Sequence, residues 1–357
     1  MALRCGLIGS PGCGKTTLYN AMTSAGASSF DAAELHRATV EVPDPRVTDL
    51  VRLYEPKKVV KASVEIADIP GLAAGDATAN SRASRLLSHI KEADVLIHAV
   101  RCFPSAGGKP NPIHDVELID LELMAADSVT LERKRERIVK RARTGDKEAA
   151  REMADCERVL SRLHEGLPAR RQELTARERE SVFECNLMSQ KPVLYVANVA
   201  TPDDMQGDMV ALLRSWAEEE GAETVPMCGR DEADISELPA EERAPFLAAL
   251  GLTELSIERL IHAAYRELGL VDFFTAGERE VHVWTCRKGD KAPAAAGKIH
   301  SDMEGGFVRM EIIPYGDLMA LGSEDAVAKA GKRRIEGRDY EVQDGDVVFV
   351  RFTPPRS

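Results

Sequence analysis

Eight residues near the N-terminus, Gly9-Ser10-Pro11-Gly12-Cys13-Gly14-Lys15-Thr16, fill the pattern G-x-x-x-x-G-K-[ST] at every fixed position. Each fixed type has a physical task. The glycines let the loop Gly9, Pro11, Gly12, Cys13, Gly14 wrap a phosphate and present its N–H groups. Thr16 and Thr17 open a helix whose positive end faces the same anion. Lys15 can then reach the β and γ phosphates, and the Thr16 hydroxyl can ligate Mg²⁺. A chance match somewhere in this length is on the order of 1%. With a strand before it and a helix after it, the pattern predicts a bound nucleoside triphosphate.

A second motif separates switch-type nucleotide hydrolases from other phosphate-loop proteins. Glu65-Ile66-Ala67-Asp68-Ile69-Pro70-Gly71 ends an apolar run with D-x-x-G, about fifty residues after the loop. Asp68 would hold Mg²⁺ through water, and the Gly71 N–H would meet the γ-phosphate, so that hydrolysis releases the segment. Lys15 and Gly71 are thus the candidate catalytic groups, and Thr16 and Asp68 the candidate metal ligands. Leu72 follows where Ras-like proteins carry the water-orienting Gln. An aliphatic side chain cannot orient water, so another group or the substrate must do so.

The elements that position these residues follow from hydrophobic periodicity. Leu3 to Ile8, Val64 to Ile69 and Val95 to Val100 are continuous apolar runs, alternating with helical patterns at Thr16 to Ser24 and Arg82 to Lys91. That alternation predicts a mostly parallel sheet covered on both faces. The strand type returns at Lys191 to Asn198 and at Thr224 to Cys228. Between them, Leu121, Met124, Leu131, Ile138 and Ala142, then Ala149, Met153, Cys156, Leu160 and Leu163, recur at helical spacing. Two antiparallel helices turning at Gly145-Asp146 and stopping at Gly166-Leu167-Pro168 fit this pattern. After Phe273-Phe274-Thr275-Ala276-Gly277, strands are expected at Val281 to Cys286, Phe307 to Ile313, Tyr340 to Val342 and Val347 to Phe352, with one helix at Ser323 to Ala330. The expected organisation is an α/β nucleotide-binding domain split into residues 1–116 and 191–277, a helical hairpin insertion at 117–190, and a small α+β domain of β-grasp type at 278–357.

Composition bounds the function. The chain has 357 residues, 44% apolar and 30% charged, with a net charge of 47 − 59 = −12. This excludes a disordered chain and a nucleic-acid coat. No window approaches a membrane span, and Met1 to Leu7 has no signal-peptide pattern. Seven scattered cysteines without a C-x-x-C pair predict reduced thiols and a cytoplasmic setting. The eight histidines show no metal spacing. Residues 131–180 carry 15 Lys/Arg against 11 Asp/Glu, which reads either as a solvated amphipathic hairpin or as a basic arm for RNA or a ribosomal surface. Trp284 and Tyr315 could stack on bases, although core packing is the commoner use. Lys329, Lys332, Arg333, Arg334 and Arg338 form a short basic cluster that suits either RNA or a solvated helix end.

Together with these motifs, longer stretches resemble the YchF (Obg-like ATPase) family of translation-factor-class P-loop NTPases. They are Val42-Pro43-Asp44-Pro45-Arg46, Tyr54-Glu55-Pro56-Lys57-Lys58-Val59-Val60, Ala99-Val100-Arg101-Cys102-Phe103, Leu194-Tyr195-Val196-Ala197-Asn198-Val199, Phe274-Thr275-Ala276-Gly277-Glu278 and Lys291-Ala292-Pro293-Ala294-Ala295-Ala296-Gly297. The resemblance spans nearly the whole chain. It implies a P-loop G domain split by a coiled-coil hairpin, a C-terminal TGS domain, a cytosolic location, ATP favoured over GTP, and association with ribosomes through rRNA contacts of the hairpin and the TGS domain, with no DNA. A hydrophobic residue at the Leu72 position is normal for the family.

Some positions depart from the family pattern. Its base-recognition motif N-x-x-E here reads Asn198-Val199-Ala200-Thr201, so Asn198 and Val199 are candidates for the base and the preference between ATP and GTP is left open. The first-switch threonine falls at Ala32, with Thr39 nearby. The Gly-rich second switch is replaced by Ala79-Asn80-Ser81-Arg82-Ala83-Ser84. The loop after Phe103 is short, and His114 lies out of register with the family's catalytic histidine. The expectation is a Mg²⁺-dependent NTPase with slow hydrolysis. Its alternative is a nucleotide-binding scaffold that has lost hydrolysis.

Overall fold

The alternation of apolar runs and amphipathic stretches resolves, in a computed structural model, into two separate sheets. The structure describes residues 3–23, 36–69, 81–105, 108–239 and 242–354, with backbone only for 81–86. The strands in chain order are β1 (Leu3–Ile8), β2 (His36–Glu41), β3 (Val59–Val60), β4 (Ser63–Asp68), β5 (Val95–Arg101), β6 (Val193–Asn198), β7 (Thr224–Met227), β8 (Leu270–Ala276), β9 (Val281–Arg287), β10 (Phe307–Pro314), β11 (Arg334–Glu336) and β12 (Asp346–Phe352). The helices are α1 (Lys15–Thr23), α2 (Pro45–Tyr54), α3 (Ser81–Glu92), α4 (Pro112–Arg143), α5 (Lys147–His164), α6 (Ala176–Phe183), α7 (Asp208–Glu219), α8 (Gly229–Ser236), α9 (Arg243–Ala249), α10 (Ser256–Glu267), α11 (Ala292–Ile299), α12 (Ser301–Gly305), α13 (Tyr315–Leu321) and α14 (Glu324–Lys329).

Residues 3–40 and 65–260 form one unit. Its sheet runs β2-β4-β1-β5-β6-β7, with the pairs β1/β5, β5/β6 and β6/β7 parallel. Every residue of β6 is buried, as expected for an inner parallel strand covered on both faces. Leu96 and Val100 of β5 and Ala197 of β6 pack against Ile119 and Leu123 of α4 and Leu213 of α7.

The hairpin begins at Pro112, earlier than the periodicity suggested, because Asn111 caps α4 by accepting the His114 N–H. Gly145, at φ +94°, makes the turn, and Asp146 caps α5 through the Glu148 and Ala149 amides. Met124, Leu131, Cys156, Leu160 and Leu163 form the seam, joined by Leu174, Val182 and Leu187 of the returning chain. Leu121, expected in that seam, is instead 55% exposed. Ile119 takes the inward position, and two residues along a helix rotate by roughly 200°.

Buried charges supplement the seam. Asp127 accepts the Met188 and Ser189 amides at 2.8 and 2.7 Å. Lys134, 1% exposed, reaches Glu152 at 2.6 Å, Glu184 at 2.9 Å and the Ser181 carbonyl at 2.6 Å. Arg170 donates to Asp120 at 2.7 Å and sits beside Tyr195, which donates to Glu220.

Residues 41–64 and 261–357 form the second unit. Its sheet, β11-β10-β12-β8-β9-β3, is mixed, with β12/β8 and β3/β9 parallel and the other pairs antiparallel. Ala292, Ala295 and Ala296 of α11 pack on Phe273, Met310, Ile312 and Val348. This division differs from the expected boundaries in two places. β8 is a central strand of this sheet rather than the end of the nucleotide-binding domain, because Phe273 and Phe274, each 0% exposed, fill its core. Residues 41–64 also fold here. Asp44 caps α2 and pairs with Arg46, whose guanidinium reaches Asp344 at 2.7 Å and lies 5.1 Å over the Phe274 ring. Tyr54 donates to Glu324 at 2.7 Å, and Tyr315 donates to Asp49 at 2.6 Å. Val59 and Val60 pair with Val281 and His282. The stretches Val42 to Arg46 and Tyr54 to Val60 are thus this docking apparatus.

Two further expectations are corrected. The segment from Tyr340 to Val342 is not a strand: Glu341 makes an isolated bridge with Lys291, and the Tyr340 hydroxyl is drawn to Asp346 at 2.7 Å. The unit has helices α11, α12, α13 and α14 after its first strands, not one. The stretch Ala292 to Ile299 hides its helix behind a proline at the first turn, where proline is tolerated.

Candidate phosphate-binding site

The loop that leaves β1 is shaped by three glycines in the left-handed half of backbone space: Gly9 at φ +151°, Gly12 at +80° and Gly14 at +90°. At two of them space forbids a side chain as well. A Cβ on Gly9 would lie 2.5 Å from the Ala99 carbonyl oxygen, and one on Gly14 would lie 2.2 Å from Asn198 Nδ2. The loop is therefore pressed against the ends of β5 and β6. The Cys13 amide donates to the Ser10 carbonyl, and Leu18 to Gly14, which carries the loop into α1. Pro11 and Gly12 are exposed, as are Thr16 and Thr17, so the concave side is open. Lys15 donates to the Gly9 carbonyl at 3.4 Å, folded back over the loop it belongs to.

Cys13 is 1% exposed, and burial pushes its thiol up to about 11. Its side chain packs and is not a nucleophile. Its carbonyl oxygen accepts the Asn198 side-chain amide at 2.8 Å. Asn198 thus braces the loop, leaving its own Oδ1 near Gly229. Val199 is buried, with its amide given to the Met227 carbonyl. Thr201 bonds Asp204 through both its amide and its hydroxyl, a local capping arrangement.

Asp68 closes β4. It is 8% exposed, its carboxyl is raised above the usual carboxylate range by burial, and Lys15 opposes that rise. Asp68 Oδ1 has no hydrogen-bond partner among the described residues. A buried, unsatisfied carboxylate oxygen that feels the loop lysine fits a hard cation, and the Thr16 hydroxyl is of the same oxygen-donor class. The donor set suits Mg²⁺.

Gly71, Leu72 and Ala32 lie outside the described residues. Thr39 is exposed on β2, and His114 is exposed on the first turns of α4. Arg101 pins the short loop after Phe103 by donating to the Phe103 and Gly108 carbonyls and to Ser105 Oγ. In the second unit, Trp284 stacks on His282 at 3.7 Å and donates to Thr275, while Tyr315 is tied to Asp49. Both therefore pack. Among the basic cluster, Arg333 pairs with Glu311, Lys332 with Asp317, and Arg338 donates to the Phe307 carbonyl.

One positioning element escaped the sequence reading. Helix α8 starts at Gly229, where a Cβ would meet Leu18 at 2.9 Å and Asn198 Oδ1 at 3.3 Å. It locks α1 and Asn198 together. The available signal was Met227-Cys228-Gly229, a glycine directly after a buried strand.

A family model described as 50S ribosome-binding GTPase matches residues 4–139, and the model YchF-GTPase_C, described as a protein of unknown function, matches 270–353. A Bacillus subtilis protein named ribosome-binding ATPase YchF is 42% identical over 99% of this chain and 100% of its own length. The Escherichia coli O157:H7 protein of the same name is 39% identical over 99% of each. The solved YchF GTPase of Schizosaccharomyces pombe superposes with a TM-score of 0.85 at 31% identity, covering 98% of this chain and 97% of that one. A GTP-binding protein of Pyrococcus horikoshii, at 18% identity and TM-score 0.59, shares the fold.

Proposed function

The chain belongs to the YchF family, and on that premise we propose that it is a ribosome-associated nucleotide hydrolase that cleaves the β–γ phosphoanhydride of ATP in preference to GTP. The single observation that carries the hydrolase part of this reading is the loop geometry: three left-handed glycines pressed against β5 and β6, with Lys15 acting electrostatically on the unsatisfied Asp68 carboxyl; the preference for ATP and the ribosome follow from the names of the relatives. In this reading the amides of Gly12 and Gly14, with Cys13 between them tied to the Ser10 carbonyl, line the phosphates, and Lys15 leaves the Gly9 carbonyl to neutralise the β and γ oxygens. Thr16 and Asp68 would hold Mg²⁺, which when bound spreads the charge that develops on the phosphates. Asn198 fixes the height of the loop, and its remaining oxygen, with Val199 beside it, borders the base. Gly71 would sense the γ-phosphate.

Ribosome contact is assigned to the helical hairpin and the C-terminal TGS-like unit, both through rRNA. An open groove of about 540 Å³ lined by Lys91, Thr130, Arg133, Glu136 and Arg137 supports the hairpin part, since three of its five lining residues are cations in a chain of net −12. The family setting and the buried, free cysteines agree with a cytoplasmic protein. No helix among the described residues is long and apolar enough to cross a membrane.

Lys15→Ala should abolish ATP turnover in the full chain; unchanged turnover would sink the proposal. Single-turnover assays on the nucleotide-loaded protein separate hydrolysis from the scaffold reading, in which the triphosphate stays intact.

A further inference from the structure

The outer face of the second unit's sheet carries a feature that nucleotide hydrolysis does not use. Its strands place Ile335, Glu311 and Phe349 in one cross-strand row, with Arg309 opposite Arg351 in the next. Side chains two apart on a strand share a face, so these five residues point the same way. Phe349 is 53% exposed and Ile335 63% exposed, while Glu311 is buried between them. Glu311 accepts from Arg351 Nε at 2.9 Å and from Arg333 on its other oxygen. One carboxylate thus anchors two guanidiniums on this face. The Arg351 guanidinium lies 4.5 Å from the centroid of the Phe349 ring.

We propose that this face binds unpaired RNA, with Phe349 as a stacking platform for a base and Arg309, Arg333 and Arg351 as contacts for the flanking phosphates. The proposal rests on the ribosome-associated reading and names the surface and the form of RNA. Three arginines against Glu311 leave +2 on a face of a chain whose total is −12, so the partner it complements is anionic. An exposed aromatic ring beside pre-oriented guanidiniums suits a flat base followed by a phosphate, because every base offers a π face. A second copy of the same face would bring arginine against arginine.

The test uses the full chain and fluorescein-labelled 12-mer oligouridylate, followed by anisotropy across a salt series. Phe349→Ala should weaken binding about tenfold, the effect of losing one stacked base, and Phe349→Trp should retain it. Arg309→Gln should lower the slope of log affinity against log salt by about 0.7. Far-UV circular dichroism and the urea midpoint report that each variant keeps its fold. Equal binding by the wild type and Phe349→Ala, or competition by polyglutamate as strong as by RNA, overturns the proposal. Co-sedimentation with ribosomes runs in parallel. If oligouridylate binding depends on Phe349 while the wild type does not sediment, the face stands and the ribosomal reading fails. If the wild type sediments but no oligouridylate binds, the face fails and the ribosomal reading stands.

Discussion

Asp272 offers a test of how residues 41–64 are held in the second unit. It lies on β8, 4% exposed, accepting the Thr285 hydroxyl at 2.7 Å. Burial raises its carboxyl to about 6 from an ordinary 3.8, with Asp44 and Asp344 adding to the rise and Arg46 opposing it. The folded state therefore holds this proton more tightly than the unfolded chain does. Its contribution to stability is fully present below about pH 4 and is lost as pH rises through about 6. The shift of roughly two units corresponds to about 3 kcal/mol between those limits. Asp272→Asn keeps the oxygen that accepts from Thr285 but removes the titration. The variant should match the wild type near pH 4 and exceed it by about 3 kcal/mol at pH 7.5. The assay is urea unfolding read by Trp284, in a Trp216→Phe background so that the signal comes from this unit alone; the chain has two tryptophans. If the difference between variant and wild type does not change with pH, the burial of Asp272 against this acidic surround is refuted.

Other predictions address the nucleotide site and the hairpin. Asn198→Ala should weaken nucleotide binding about tenfold by freeing the buried Cys13 carbonyl, and Asn198→Asp more, since it sets a carboxylate against that oxygen; calorimetric titration with ATP and GTP reads both. Gly14→Ala should abolish binding in the same titration, because its Cβ would strike Asn198 on a backbone at φ +90°. Lys134→Ala should destabilise the hairpin by about 3 kcal/mol and Lys134→Met by less, because the first leaves Glu152 and the Ser181 carbonyl facing a void; hydrogen exchange in α5 and α6 measures it. Reversing Arg133, Arg137 and Arg141 together should reduce co-sedimentation with ribosomes, and an unchanged pellet would remove the hairpin from that contact.

The loop was legible residue by residue because wrapping a phosphate leaves few choices of residue type, and Gly9, Gly14 and Lys15 stand at fixed spacing. Strands β1, β5 and β6 were legible because burial on both faces demands continuous apolar runs. What stayed hidden was decided by distant chain. Nothing local in Val42 to Val60 says which sheet it joins; that choice is made by Asp344, Glu324 and Glu280, more than two hundred residues away. Leu121 looked like seam because periodicity cannot tell which stripe of a long helix meets the sheet. The brace from Asn198 to Cys13 was likewise invisible, since the sequence marks Asn198 for the base and the bond shows it serving the loop too.

The position of residues 41–64 in the second unit also sets an order for the chain's assembly. A ribosome delivers the N-terminus first, and this 24-residue excursion emerges long before β9 and Asp344, with which it pairs. At about 20 residues per second, the interval before β12 emerges is on the order of 15 s. For most of it α2, whose Val47 and Leu50 are buried in the finished protein, waits for β9, on which it packs. The first unit has all its residues once residue 260 is out, but the second lacks β12 until residue 352 is made. A product truncated after the nucleotide-binding part keeps its phosphate loop and carries an orphaned amphipathic helix, which makes such fragments prone to aggregate. The late strands of the second unit thus decide when the early amphipathic helix α2 is covered.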